Sequence, residues 1–195
     1  MTERIIFTLQ VIQIDFFTAF GLFTILYFLT SIFTKNQFIK NVDEESNRFI
    51  SFIGILYLII WSVGLFVELN ILNAEEKSQL LNQMFGKYWF SFWLQPLLWI
   101  LISQLLRFKF IRKSILLRLL FSILFIFSIE KLVIIFTSFH RDYLPSSWTI
   151  NNDLGIYPSN LLLELLMKIT VFFLFVGIFF LINQKINNYK IAKIK

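Results

Sequence analysis

Five long apolar runs constrain what this chain can fold into more than any other feature. The hydrocarbon core of a bilayer is about 30 Å thick, and a helix needs roughly 20 apolar residues to cross it. With 57% hydrophobic residues and a mean hydropathy of +0.74, a soluble domain of 195 residues would leave large apolar patches exposed. We therefore expect an all-α, polytopic membrane protein that forms a single domain over residues 1–195, with about five transmembrane helices arranged as a four-helix bundle plus one further helix. The predicted spans are about 15–33, 49–72, 88–106, 114–138 and 161–183.

Basic residues beside the apolar runs predict the orientation of the helices. Loops rich in Lys and Arg normally stay in the cytoplasm. The richer side carries Lys35, Lys40, Arg48, Arg107, Lys109, Arg112, Lys113, Lys185, Lys190, Lys193 and Lys195. The poorer side carries Arg4, Lys77, Lys87 and Arg141. We therefore expect the amino terminus outside and the carboxyl terminus in the cytoplasm. We also expect two charge runs to lie in loops, namely Asp43-Glu44-Glu45 and Glu75-Glu76-Lys77.

The residue inventory excludes several classes of cofactor and partner. The chain has no cysteine, which excludes thiolate-bound iron–sulfur clusters and Cys-type zinc sites. Its single histidine, His140, cannot supply the axial pair that a bis-histidine haem requires. The formal charge of +6 comes mostly from cations beside apolar segments, which is typical of membrane topology signals and not of nucleic-acid binding. We therefore expect the lipid bilayer as a partner, no nucleic acid, and no cofactor bound by this chain alone.

One face of the second predicted helix carries small, aromatic and acidic residues. Gly54, Tyr57, Trp61, Gly64 and Glu68 follow one another at spacings of three or four residues, which places them on one side of a helix. Glycines allow close approach of another helix, and an acid avoids lipid. We expect this face to point into the bundle, either as a packing surface alone or as part of a functional pocket.

Ionisable residues inside the fourth and fifth predicted helices indicate a polar cluster. A charge near mid-membrane costs about 2.5–3.5 kcal/mol, so Glu130, Lys131, Glu164 and Lys168 need partners. Glu130 and Lys168 lie at similar predicted depths, roughly 6 Å to the outer side of the midplane. Glu164 precedes Lys168 by one helical turn, and Glu68 also falls in the outer half. We predict a cluster of Glu68, Glu130, Glu164 and Lys168 that opens to the outside, with a structural salt bridge as the alternative.

A polar segment follows the fourth span. It contains His140, Arg141, Asp142 and Trp148. An imidazole near its reference pKa of about 6.5 can pass protons to water, and arginine can hold an anionic group. Interfacial His, Arg and Trp also serve as membrane anchors, so both roles stay open.

This polar segment and its flanks resemble a known family. Residues 129–148 comprise an acid and a base, an aliphatic run, and then the polar segment. This pattern is similar to the matching part of NrfD/PsrC-type membrane subunits of the ActC type, which are found in bacterial alternative complex III. Glu68, the aromatic segment 88–93 and the segment 104–112 are also similar to that family. The five predicted helices resemble the carboxyl-terminal half of such a subunit.

The resemblance implies a membrane subunit of a quinol-oxidising respiratory complex in the bacterial cytoplasmic membrane. Electrons would pass to iron–sulfur and haem subunits outside the membrane, with a quinol of the menaquinol type bound by the complex and proton translocation as an open possibility. A companion chain would supply the missing amino-terminal helices. By this resemblance, Glu68, Glu130 and Lys168 would conduct protons or couple conformations, and the outer rim that docks the partner would be His140, Arg141, Asp142 and Trp148.

Two other functions are compatible with the same residues. A non-catalytic anchor or assembly subunit would keep the fold and the docking segment without chemistry. A small solute transporter would use the buried acids to line a solute path. A transporter works when purified alone in vesicles, whereas a complex subunit is inert alone and co-purifies with haem and iron–sulfur proteins.

Overall fold

The computed structural model describes residues 2–33, 36–87, 89–127 and 160–194, and every regular element in these ranges is a helix. In chain order the elements are α1 (Thr2–Val11), a π-helical segment (Ile12–Thr18), α2 (Ala19–Phe33), α3 (Gln37–Ile71), α4 (Ala74–Phe85), α5 (Trp89–Leu105), α6 (Lys109–Lys113), α7 (Ile115–Ile126) and α8 (Leu161–Ile194). The prediction of an all-α chain is confirmed for the described residues.

Three of the described helices are long and apolar enough to cross a membrane. They cover Arg4–Phe33, Gln37–Ile71 and Leu162–Ile186. Two shorter apolar helices cover Phe92–Leu105 and Ile115–Ile126, at the positions of the third and fourth predicted spans. The helices are thus compatible with a membrane protein, while the full set of five spans in a four-helix bundle plus one helix stays a prediction.

The first membrane helix is longer than the sequence predicts. It runs without a break from Thr2 to Phe33, whereas the apolar pattern predicts a span only from about residue 15. Thr8, Gln10 and Gln13 interrupt the apolar pattern without interrupting the helix. A helix satisfies its own backbone hydrogen bonds, so isolated polar side chains do not end it.

The prediction that Asp43-Glu44-Glu45 lie in a loop is wrong, because α3 begins at Gln37. The side chain of Asn36 caps this helix by accepting a hydrogen bond from a backbone N–H of the first turn at 2.9 Å. Arg48 then pairs with the carboxylates of Glu44 at 3.1 Å and Glu45 at 2.6 Å, one turn earlier. These polar contacts extend the helix beyond the apolar run that predicts the second span.

The run Glu75-Glu76-Lys77 is also helical and not a loop, since it lies in the first turn of α4. Asn73 and Glu76 form a capping box at the start of this helix. The Asn73 side chain accepts from the Glu76 N–H at 2.9 Å, and the Glu76 carboxylate accepts from the Asn73 N–H at 3.2 Å. The start of α4 is therefore determined by a capping box, a local polar motif that a hydropathy pattern does not detect.

The core is built around the π-helical segment, which contacts four other helices through two phenylalanines. The ring of Phe17, which is fully buried, lies 5.5 Å from Tyr57 of α3, 5.7 Å from Trp99 of α5 and 5.0 Å from Phe125 of α7. The neighbouring ring, Phe16, lies 5.5 Å from Phe49 of α3 and 5.1 Å from Phe175 of α8. Aromatic contacts of this kind add about 0.5–1.5 kcal/mol each beyond their buried area. Part of the abundant phenylalanine of this chain therefore forms the core.

The prediction that the small-residue face of α3 points into the helix packing is confirmed. Gly54, Tyr57 and Gly64 are buried, and Trp61 and Glu68 are partly buried. A Cβ at Gly54 would stand 1.8 Å from the Ser103 hydroxyl oxygen of α5, and a Cβ at Gly64 would stand 2.8 Å from the Ile5 side chain of α1. Because these two positions are glycines without a side chain, α5 and α1 can approach α3 closely.

Candidate functional site

The structure brings together two members of the predicted polar cluster. Lys168 of α8 donates a hydrogen bond to the carboxylate of Glu164, which lies one turn earlier on the same helix. Lys168 is only 9% exposed although it lies on a helix otherwise rich in exposed apolar side chains. An acid that precedes a base by four residues is the favourable order for such a pair. The structure therefore shows Glu164 and Lys168 as a pair within one helix.

Glu68, a further member of the predicted cluster, is not joined to this pair within the described ranges. Glu68 lies near the end of α3 and is partly buried, and its carboxylate makes no hydrogen bond or ion pair with the residues that the structure describes. Glu130 lies outside the described residues, as do the proposed docking residues His140, Arg141, Asp142 and Trp148. A four-residue cluster and an outer docking rim stay predictions.

Asp15, which is not among the predicted site residues, is buried in the π-helical segment. Asp15 is 7% exposed and lies about 5 Å from the midpoint of the first membrane helix at 1.5 Å per residue. The segment packs on α8, the helix of Lys168, through Phe16 and Phe175. π-Helical turns inside α-helices occur frequently at functional sites. The sequence signal was available, because Ile5, Ile6 and Phe7 extend the apolar run before Asp15 and so place this acid inside the helix.

A second polar site lies at the opposite end of the helices, where α3 begins. Arg118 of α7 donates two hydrogen bonds to the carboxylate of Asp43, with Nη1 at 3.0 Å from Oδ2 and Nη2 at 2.5 Å from Oδ1. Arg118 is 3% exposed, and its guanidinium lies 5.1 Å from the ring centre of Tyr27 and 4.8 Å from that of Phe28. Two aromatic faces and a bidentate carboxylate together compensate the charge of a buried guanidinium.

Hydrogen bonds extend this site from α3 to the end of α5. The Asn47 amide nitrogen donates to the Asp43 backbone carbonyl at 2.6 Å. The Ser51 hydroxyl bonds to the backbone carbonyl of Ser103 at 2.9 Å, and the Gln104 amide returns a hydrogen bond to the Ser51 carbonyl at 3.0 Å. We call this group the inner polar network, comprising Asp43, Asn47, Ser51, Ser103, Gln104 and Arg118. It joins three helices by groups that lipid cannot satisfy.

The inner polar network was not predicted, although its main signal is visible in the sequence. Arg118 lies inside the fourth predicted span and carries a charge that needs a partner there. Its partner Asp43 precedes the second predicted span, about 49–72, whereas the acids inside that span and the fourth one, Glu68 and Glu130, fall in the outer half. The correct pairing required α3 to extend beyond its apolar run.

Comparisons with family models, curated proteins and solved structures gave no match. The functional assignment therefore depends on the motif resemblance and on the geometry described above.

The two polar sites differ in the chemistry they allow. In the inner polar network, both carboxylate oxygens of Asp43 already accept hydrogen bonds from Arg118 and are not available to a ligand. Asp15, Glu164 and Lys168 are ionisable side chains within helices that are long and apolar enough to cross a membrane, where a charge is costly. Among the described residues no group of three His, Cys, Asp or Glu side chains is placed to hold a metal ion. The ionisable groups in these apolar helices are therefore stronger candidates for function than the inner polar network.

Proposed function

We propose that this chain is a membrane subunit of a quinol-oxidising respiratory complex of the alternative complex III type, in the bacterial cytoplasmic membrane. It would hold no metal redox centre and would support electron transfer from quinol to iron–sulfur and haem subunits outside the membrane. A companion chain would supply the remaining helices, and the carboxyl terminus would lie in the cytoplasm.

The quinol part of this proposal rests on the motif resemblance of residues 129–148 and of the segments at Glu68 and 88–112. The described residues add one compatible feature. Glu68 lies on the inward face of α3 and is partly buried, which is where a proton-conducting carboxylate would be needed.

The observation that carries the proposal is the burial of ionisable side chains in the membrane helices. Lys168 is paired with Glu164 on α8, and Asp15 is buried in the π-helical segment that packs against α8. Each such group costs about 2.5–3.5 kcal/mol at the bilayer centre on insertion scales, and ionisable residues at this depth usually line proton or ion paths. We infer that Asp15, Glu164 and Lys168, together with Glu130, take part in proton transfer or conformational coupling during quinol oxidation.

Affinity purification of the tagged chain in a mild detergent tests the assignment to a complex. We expect haem absorption bands, iron–sulfur proteins and a second polytopic chain in the purified material. A preparation that contains the chain alone would contradict the proposal, and transport of a solute by that preparation in vesicles would assign the chain as a transporter.

Substitution of Lys168 tests the proposed role inside the complex. Lys168→Met should lower quinol oxidation by about tenfold or more, as general acid–base groups commonly contribute 10²–10⁴-fold. Lys185→Met is the matched control, because Lys185 lies on the same helix and is exposed. Glu130→Gln is expected to abolish turnover. Wild-type turnover in both Lys168→Met and Glu130→Gln, with reduced assembly, would instead assign the chain as a non-catalytic anchor.

A further inference from the structure

A cavity of about 350 Å³ lies beside the inner polar network, between α3, the end of α5 and α8. Its polar wall includes three arginines, Arg48, Arg107 and Arg112, together with Asn47 and Asn183. Its apolar wall includes Phe52 and Phe179, whose ring centres are 5.7 Å apart. One cavity thus combines cations with an aromatic surface.

The arginines of this cavity are not neutralised by the acids around them. Arg48 is paired with Glu44 and Glu45, and Arg112 approaches only Glu44, at 3.8 Å. The exposed side chain of Arg107 forms no ion pair with the residues that the structure describes. Three guanidinium groups therefore face two carboxylates, and the cavity has room for one more negative charge.

Two buried polar atoms of the cavity residues have no hydrogen-bond partner among the described residues. The Nε of Arg112 and the Oδ1 of Asn47 are buried and make no hydrogen bond within the described part of the chain. The amide nitrogen of Asn47 is fixed by the carbonyl of Asp43 at 2.6 Å, so its oxygen remains the free acceptor. A buried polar atom without a partner destabilises the structure, and a ligand that supplies the partner removes this cost. A matching ligand would bring an acceptor for Arg112 and a donor for Asn47.

The apolar wall distinguishes a lipid from a soluble anion. Phe52 is 48% exposed and lies on the helix of the second predicted span, so its ring continues from the cavity onto the lipid-facing surface. Basic pockets between transmembrane helices on the cytoplasmic side bind anionic headgroups. The positive-inside expectation places this end of α3 in the cytoplasmic leaflet.

We propose that this cavity binds one anionic phospholipid with a hydroxyl-bearing headgroup, of the phosphatidylglycerol type. The phosphate lies among Arg48, Arg107 and Arg112, and a headgroup hydroxyl donates to Asn47. The acyl chains leave the cavity along Phe52 and Phe179. This site is separate from Asp15, Glu164 and Lys168 and does not depend on the proposed respiratory function.

Lipid titration of the full-length chain in detergent, read out by native mass spectrometry and Tm, tests the proposal. We expect phosphatidylglycerol to bind and to raise Tm, while phosphatidylcholine and inorganic phosphate at equal concentration have no effect. Equal binding of phosphatidylcholine, or an equal rise in Tm with inorganic phosphate, would overturn the assignment to an anionic lipid.

Two further comparisons locate the bound groups. Arg107→Gln should weaken phosphatidylglycerol binding about fivefold, the usual share of one basic side chain at an anionic surface. Because Arg107 is exposed and unpaired among the described residues, the variant should keep the wild-type Tm without lipid, and Lys77→Gln in α4 should bind as the wild type does. Phosphatidylmethanol, which has the charge but no headgroup hydroxyl, should bind about fivefold more weakly than phosphatidylglycerol. Unchanged binding by Arg107→Gln would remove the site from this cavity, and equal binding of phosphatidylmethanol would contradict the contact with Asn47.

Discussion

Arg118 of α7 and Asp43 of α3 are separated by 75 residues in the sequence, yet the buried guanidinium donates two hydrogen bonds to the carboxylate. The pair holds the start of α3 against α7, and two aromatic rings cover the arginine. The side chain of Arg118 is 3% exposed and that of Asp43 is 12% exposed, so each charge depends largely on the other for stabilisation.

Removing one partner of this pair should destabilise the protein strongly. Arg118→Met leaves the Asp43 carboxylate buried and unpaired, which typically costs about 3–5 kcal/mol. We expect this loss in the free energy of unfolding, measured by denaturant titration in detergent micelles. The double variant Asp43→Leu with Arg118→Met should recover most of the loss, because apolar replacement removes both charges. Lys40→Met, at an exposed position of α3, is the control, and equal stability of Arg118→Met and Lys40→Met would refute a stabilising role.

The close contact of α3 with α5 depends on Gly54. Gly54→Ala would place a Cβ 1.8 Å from the Ser103 hydroxyl oxygen, so the helices must move apart, at a cost of about 1–3 kcal/mol. Gly177→Ala is a matched control, because a Cβ there meets nothing within 4 Å among the described atoms. Thermal unfolding in detergent should show a lower Tm for Gly54→Ala only. Adding Ser103→Gly should restore part of the loss, and an unchanged Tm in Gly54→Ala would show that the contact is looser than described.

A tryptophan joins α5 to the end of α7. The indole nitrogen of Trp99 donates to the Leu124 carbonyl at 3.1 Å, and this carbonyl lies in the last turn of its helix, where intrahelical donors are missing. Trp99→Phe keeps an aromatic ring but loses this donor, so we expect a stability loss of about 1–3 kcal/mol in the same denaturant titration. Trp89→Phe should have little effect, since Trp89 is 55% exposed. Similar losses in both variants would show that ring size and not the hydrogen bond is responsible.

The predicted orientation can be tested by cysteine labelling, because the chain has no natural cysteine. Lys77→Cys in α4 and Lys109→Cys in α6 place thiols at exposed positions near opposite ends of the membrane helices. A membrane-impermeant maleimide added to intact spheroplasts should label Lys77→Cys and not Lys109→Cys. Disruption of the membrane should make both thiols reactive, and the reverse pattern would invert the topology.

Spacings of three or four residues correctly predicted which side chains are neighbours on the same helix. The pair Glu164 and Lys168 follows from a separation of four residues. The inward face of α3 at Gly54, Tyr57 and Gly64 follows from the same periodicity. These features are local, because a helix fixes the relative positions of residues one turn apart.

Helix ends were predicted less well, because hydropathy measures only the apolar part of a helix. α3 begins at Gln37 and α4 at Ala74, each after an asparagine cap, and neither start is the beginning of an apolar run. Capping and pairs such as Arg48 with Glu44 stabilise these turns in polar surroundings. The sequence holds these signals, but they differ from those that mark a membrane span.

The sequence by itself determined that the chain is helical and suited to a bilayer, since apolar runs of this length can bury their backbone in lipid only as helices. It also determined which face of α3 points inward. Only the tertiary structure decided that Asp43 pairs with Arg118, that Asp15 is buried in a π-helical segment, and that Phe17 contacts three helices. Contacts between helices depend on how the helices cross and where they start, and the periodicity of one helix contains neither quantity.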